Sequence, residues 1–167
     1  MRSCGSCSLC CKVIGIRSLG KPPGQWCPHF ARGSGCSIYG EAPSECRQFQ
    51  CFWTLETLQG EEWKPDRCKL VVWSDKPARI IVDVDGDYPN AWRREPYYRQ
   101  IKAWSNRNIR SPVEVLVRVK GRMIVVFPEA EIDLGPGDAS LSVVSGYRDE
   151  GGRRVPFAEY LPATVRA

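Results

Sequence analysis

Cys4-Gly-Ser-Cys7-Ser-Leu-Cys10-Cys11 opens the chain, and how these eight residues are read governs the reading of the first third. Two residues between cysteines let a tight turn aim both sulfurs at one ion, at about 2.3 Å for zinc. A single such pair arises easily by chance. Four cysteines in this octet, followed by Cys27, Cys36, Cys46 and Cys51, form a far stronger signal for metal binding. If residues 4–11 are helical, Cys4, Cys7 and Cys11 fall within a stripe about 60° wide and Cys10 lies about 60° outside it. If the segment is extended, Cys10 and Cys11 point to opposite sides. Either way the adjacent pair is poorly suited to one mononuclear ion. The string favours two metal sites, or one polynuclear cluster with a second thiol doing another job. Cys4, Cys7, Cys10, Cys11, Cys27, Cys36, Cys46 and Cys51 would fill two four-thiolate sites. Spacing does not say which later cysteine joins which site.

The surrounding composition is that of an ordinary folded protein. The chain has 167 residues, 43% hydrophobic and 26% charged, and a core of this size does not need metal for stability everywhere. The N-terminus has no apolar stretch of signal-peptide length, and the longest apolar runs, such as Ile80-Ile81-Val82, are too short to span a bilayer. A cytoplasmic location without membrane contact is therefore expected. In a reducing compartment a dense thiol cluster binds metal or does redox chemistry more often than it forms disulfides. The formal net charge of +5 would be mostly cancelled by eight thiolates holding two divalent ions, so it gives nucleic acid only weak support as a partner. A protein partner stays open.

The cysteine string continues as Cys27-x8-Cys36-Ser-Ile-Tyr39 and Pro43-x2-Cys46-Arg-x-Phe-x-Cys51. Over roughly residues 4–53 this pattern resembles the zinc- or iron-chelating CxxCxxCC domain, the YkgJ-like family. The resemblance implies metal binding, without fixing the metal. A more distant similarity is to flagellin lysine methylases, whose comparable cysteine segment implies an iron–sulfur cluster. One departure is visible: the family usually has Arg-Pro where this chain has Ala42-Pro43, so any role of that arginine is missing or altered here.

Zinc is the first expectation, because closed four-thiolate sites suit a redox-inert ion that fixes loops. Iron or an iron–sulfur cluster is the alternative. Cys-x2-Cys-x2-Cys is a ferredoxin-like opening, but a complete run places its fourth cysteine three residues later, before a proline. Here Cys11 is adjacent to Cys10, and the Cys27-Pro28 pair comes much later. A structural role presenting a surface to a partner leads; a redox or methyl-transfer-associated role and a metal carrier are the alternatives.

Residues 1–68 form the cysteine-rich region, rich in Gly, Pro and Ser, with short helices expected at 4–12 and 43–58. Residues 69–167 read differently. Residues 69–73 and 79–84 read as strands, Val113–Val119 alternates with period two, and Lys120-Gly121-Arg122 turns it into Met123–Phe127, a hairpin. A second hairpin is expected from 141–147 and 154–157. Between them, 96–106 reads as a helix with Tyr97, Ile101 and Trp104 on one face. The fold class is α+β: a metal-bound region with short helices packed on a small antiparallel sheet with one helix, probable parts of a single domain.

Other candidates carry blander expectations. His29, the one histidine, is a polar neighbour of Cys27 rather than a ligand, since eight cysteines suffice. Cys68 precedes an apolar strand and reads as a core thiol, with a ninth ligand or a free reactive thiol as alternatives. Asp83-x-Asp85-Gly-Asp87 misplaces the glycine of a calcium loop and reads as a turn. Arg93, Arg94, Arg99, Lys102, Arg107 and Arg110, among Trp92, Tyr97, Tyr98 and Trp104, read as a solvated basic face over an aromatic core rather than a nucleic-acid grip. No Ser-His-Asp, Walker or Rossmann pattern is present. No catalytic residue is assigned, and an enzyme is weakly disfavoured, because eight thiolates around two ions leave no open coordination position.

Overall fold

Strand residues alternate between two faces, and the β-branched runs of the C-terminal half obey this rule on both sides of a sheet. The computed structural model describes residues 2–58, 60–106, 113–137 and 141–161. In chain order the elements are α1 (Cys10–Val13), β1 (Phe30–Ala31), β2 (Gly35–Cys36), α2 (Ser44–Gln48), α3 (Pro65–Cys68), β3 (Leu70–Trp73), β4 (Arg79–Val84), α4 (Tyr97–Ser105), β5 (Glu114–Val119), β6 (Arg122–Val126), β7 (Glu131–Pro136), β8 (Ser142–Glu150) and β9 (Arg153–Leu161).

Strands β3 to β7 form one five-stranded sheet in that order. The expectation of an antiparallel sheet is corrected here: β4 and β5 pair in parallel, with Ile80 opposite Val115 and Val82 opposite Val117. The connection between them carries α4, and a crossover of that length returns the next strand in the same direction. The β5–β6 connection is instead a tight turn at Lys120 and Gly121, with φ of 50° and 74°. Such turns match the twist of antiparallel strands.

One sheet face presents Leu70, Val72, Val82, Val84, Val115, Val117, Ile124 and Val126. It packs with Trp92 and with Ile101 and Trp104 of α4 in one core, which also takes in Leu9, Val13, Cys51, Trp53 and Leu58 from the cysteine-rich region. The opposite face, with Leu116 and Val125, is covered by Val143, Tyr147 and Tyr160 of the β8–β9 hairpin. That hairpin is longer than expected, because its outer half, from Arg148 to Arg154, is exposed and lacks apolar alternation.

The helices expected over 4–12 and 43–58 shrink to α1 and α2. Gly5 adopts φ of 55°, and Cys7 N–H donates to Cys4 O at 2.9 Å, so the first cysteines lie in a turn. The second helix stops at Gln48, and Phe52 N–H donates to Val72 O at 2.7 Å. The open edge of β3 thus captures backbone that a helix would otherwise use.

One ion group braces three strands of the sheet, and a second fastens the cysteine-rich region to it. Arg118 donates through two nitrogens to Asp83, both at 2.7 Å, and Trp73 Nε1 adds a third bond at 2.7 Å. Lys12 of α1 reaches Asp85 at 2.5 Å and Asp87 at 2.6 Å, beyond the end of β4. The aspartates of the 83–87 stretch are therefore spent on internal pairs, and the stretch is a strand end and turn. Among the described residues no helix is long and apolar enough to cross a membrane.

Candidate metal centre

Backbone bonds gather the sulfurs before any metal is considered. The Cys7-to-Cys4 turn leads into α1, which Cys10 begins. The chain end beside Cys4 is fastened to the Cys51 segment: Arg2 N–H donates to Thr54 O at 2.9 Å, and its guanidinium to Leu58 O at 3.0 Å. Thr54 Oγ1 in turn donates to Cys51 O at 2.8 Å. Cys4, Cys7, Cys10 and Cys51 are thereby brought close enough for charge on one sulfur to act on another: Cys51 on Cys4, Cys4 on Cys7, and both Cys7 and Cys4 on Cys10.

The remaining four converge by different contacts. Cys27 N–H donates to Cys11 O at 3.0 Å, and Phe30 N–H to Cys27 O at 2.9 Å. Phe30 of β1 then pairs with Cys36 of β2. Ser18 Oγ donates to the Glu45 carboxylate at 2.5 Å, latching the start of α2 to the loop after α1. Cys46 of α2 accordingly lies within electrostatic reach of Cys11, Cys27 and Cys36. These contacts are compatible with two groupings, Cys4-Cys7-Cys10-Cys51 and Cys11-Cys27-Cys36-Cys46. They adjoin at the Cys10–Cys11 pair, whose side chains hydrogen bond, and Cys4 also lies within reach of Cys11. A helical stripe would have set Cys10 apart from Cys4 and Cys7; the turn at Gly5 instead leaves all three within electrostatic reach of one another.

The electrostatics differ from sulfur to sulfur. The bond to Cys11 and burial both hold the Cys10 thiol protonated. The same bond, aided by Lys21, brings Cys11 down to about 7. Burial raises Cys7, opposed by backbone N–H groups of Leu9 and Asp66 that donate to its sulfur. Such amide donors favour the anion and are the outer-shell support that metal thiolates receive. Burial comes first, and neighbouring sulfurs next, in raising Cys4 and Cys46.

All nine cysteines are free thiols. Cys68 behaves as a core residue: it is 3% exposed, its sulfur lies near Trp63 O and Leu70 O at 3.5 and 3.3 Å, and burial pushes it up to about 12. His29 contributes its carbonyl to Ser37 N–H at 2.9 Å. The donor set, eight thiols without a competing disulfide, fits zinc or iron chemically. The sulfurs are gathered rather than closed: among the described residues no three His, Cys, Asp or Glu side chains already stand where they could hold an ion.

Sequence reasoning missed two residues of this region, Lys12 and Lys21. Both are buried, and nothing in the pattern around a single lysine distinguishes a buried ammonium from a solvated one. The basic cluster near α4 is largely engaged: Arg93 pairs with Glu131 at 2.6 Å and stacks over Trp92, and Lys102 donates to Phe127 O at 2.7 Å. Arg107 and Arg110 lie outside the described residues. No family model, no curated protein and no solved structure matches this chain.

Proposed function

We propose that this protein is a metal-binding protein with two adjoining four-thiolate sites, Cys4-Cys7-Cys10-Cys51 and Cys11-Cys27-Cys36-Cys46, each taking one zinc ion. The observation that carries this reading is the set of backbone contacts that bring Cys27 to Cys11, Cys36 to Phe30 and the Cys51 segment to the chain end beside Cys4, with all nine cysteines free thiols. The resemblance to the CxxCxxCC family points the same way. On this reading the ions supply cross-links between segments that backbone bonds already bring together. The role that follows is structural. Metal would fix the 14–50 segment and, with it, the exposed Trp26 and Tyr39, which offer contact area to a protein partner.

A second reading has one observation in its favour. The sets touch at Cys10 and Cys11, and this closeness also suits a polynuclear iron–sulfur cluster. Protein purified without oxygen tests both. The expectation is two zinc ions per chain and no visible colour, falling to one ion in Cys46→Ser and in Cys51→Ser. A brown protein absorbing near 400 nm would transfer the proposal to iron–sulfur. Absence of stoichiometric metal, or unchanged content in both variants, refutes it.

A further inference from the structure

Lys21 is 6% exposed, and its ammonium donates only to neutral acceptors: Lys12 O at 3.1 Å, Pro22 O at 3.3 Å and Ile14 O. Among the described residues no carboxylate forms an ion pair with it. Lys12 shows how the same fold treats a buried ammonium elsewhere, with Asp85 and Asp87 both within 2.6 Å. Its acceptor Lys12 O directly follows Cys11, whose own carbonyl accepts from Cys27 N–H at 3.0 Å, and the anionic groups that act on Lys21 are sulfurs: Cys27, Cys11, Cys10 and Cys46. An ammonium removed from water is costly unless a counter-charge stands near. Three carbonyl dipoles relieve part of that cost. Beside neutral thiols the rest would remain. A divalent ion in four thiolates carries a net charge of about −2, and that charge is what this cation lacks.

We propose, resting on the two-site reading, that Lys21 is the charge-balancing residue of the Cys11-Cys27-Cys36-Cys46 site and acts on it more strongly than on the neighbouring site, which it meets at Cys10. Its position serves this role in a second way. The three carbonyls lie on both limbs of the bend from residue 12 to 22, which the Ile16–Lys21 bridge closes. The ammonium therefore fixes the path of the chain between Cys11 and Cys27, and it neither binds metal itself nor blocks a coordination position.

The test uses the full-length zinc-loaded protein and variants Lys21→Met and Lys21→Arg, each made also in a Cys46→Ser background. Release of zinc to a colorimetric chelator is followed over time and counted per chain. In Lys21→Met one of the two ions should leave roughly 10- to 100-fold faster, the scale of outer-shell losses, and the other should be accelerated far less. Lys21→Arg should lie between. In the Cys46→Ser background Lys21→Met should affect the remaining ion far less than it affects the faster-leaving ion of the two-site protein. A residue that merely braced carbonyls would predict something else: Lys21→Met would lower the melting temperature with and without zinc. Charge balance predicts a loss with zinc and none, or a gain, without it. Where the metal-free chain shows no cooperative melt, the release rates decide. Equal acceleration of both ions, or unchanged release in Lys21→Met, overturns the role of Lys21. Wild-type protein that holds no zinc overturns the two-site reading instead.

Discussion

Replacing Lys12 by Met tests how the cysteine-rich region is fastened to the sheet. The ammonium and the Asp85 carboxylate each retain 8% side-chain exposure and stand 2.5 Å apart. Met keeps the length of the side chain and removes its charge, leaving Asp85 buried with one donor, the Asp87 N–H at 3.1 Å. Removing one partner of a buried pair costs about 3–5 kcal/mol, most of it from the charge left behind. Asp87 adds less, because its side chain is 74% exposed and solvent screens it. Urea unfolding followed by tryptophan fluorescence, at a fixed excess of zinc, reads the loss. With a denaturant slope of about 2 kcal/mol per molar, the midpoint falls by roughly 2 M. The origin of the loss can be isolated. Lys12→Met with Asp85→Asn removes both charges and should recover at least about 1 kcal/mol relative to Lys12→Met alone. A double variant no more stable than the single one, or a single variant within about 1 kcal/mol of wild type, would refute the argument that an unpaired buried carboxylate dominates.

Other consequences follow from the same geometry. Arg118→Met leaves Asp83, 3% exposed, with Trp73 as its remaining side-chain donor and should cost about 3 kcal/mol by urea unfolding, without lowering zinc content. Cys68 should resist alkylation at pH 8 in folded protein and react once the chain is unfolded, which mass spectrometry of the labelled peptide reports. Its thiol goes from an ordinary 9.0 to about 12 in the fold. The folded state therefore binds the extra proton between these values, and the contribution of Cys68 to stability is complete below pH 9 and is lost as pH rises towards 12. Chelating the metal should open the 14–50 segment to trypsin at Arg17, Arg32 and Arg47, while the circular dichroism of the sheet changes little.

The C-terminal half was legible where local chemistry decided the outcome. Short apolar runs located β3 and β4, buried on both faces; period-two alternation located β5, the turn after it located β6, and a three-four spacing located α4. The parallel β4–β5 pairing was not legible, since it depends on where the crossover returns and not on either strand's own residues. Strand β7 escaped because Glu131, Asp133, Gly135 and Pro136 interrupt its apolar pattern; its place is set by pairing with β6. In the N-terminal region the cysteines announced themselves by spacing, yet the contacts behind the proposed sorting into two sets did not. That sorting depends on a left-handed glycine at position 5, a Cys27–Cys11 backbone bond and a Ser18–Glu45 latch, none of which spacing encodes. Lys12 and Lys21 were invisible for a similar reason: burial of a lysine is decided by distant partners.

The two sulfur sets also sit in different physical surroundings, and the difference bears on what each would do. Cys7, Cys10 and Cys51 pack on the main hydrophobic core, so the first set is held in place by the sheet whether or not an ion is present. Between residues 14 and 50 only Ile16, Lys21 and Ala42 are buried. Ordering a backbone costs roughly 1 kcal/mol or more per residue, whereas one buried large aliphatic side chain returns about 1.5–3 kcal/mol. Burial at Ile16 and Ala42 cannot hold a stretch of that length, and two-residue strands add little. Metal–thiolate bonds at Cys11, Cys27, Cys36 and Cys46 supply, on the two-site reading, the cross-links that this thin burial does not. On the two-site reading, the first set secures the N-terminus to a core that exists without it, and the second creates the fold of the segment it lies in. Loss of metal at the second set is then a local unfolding event, and Lys21, buried beside those sulfurs, is the residue whose charge most directly opposes it.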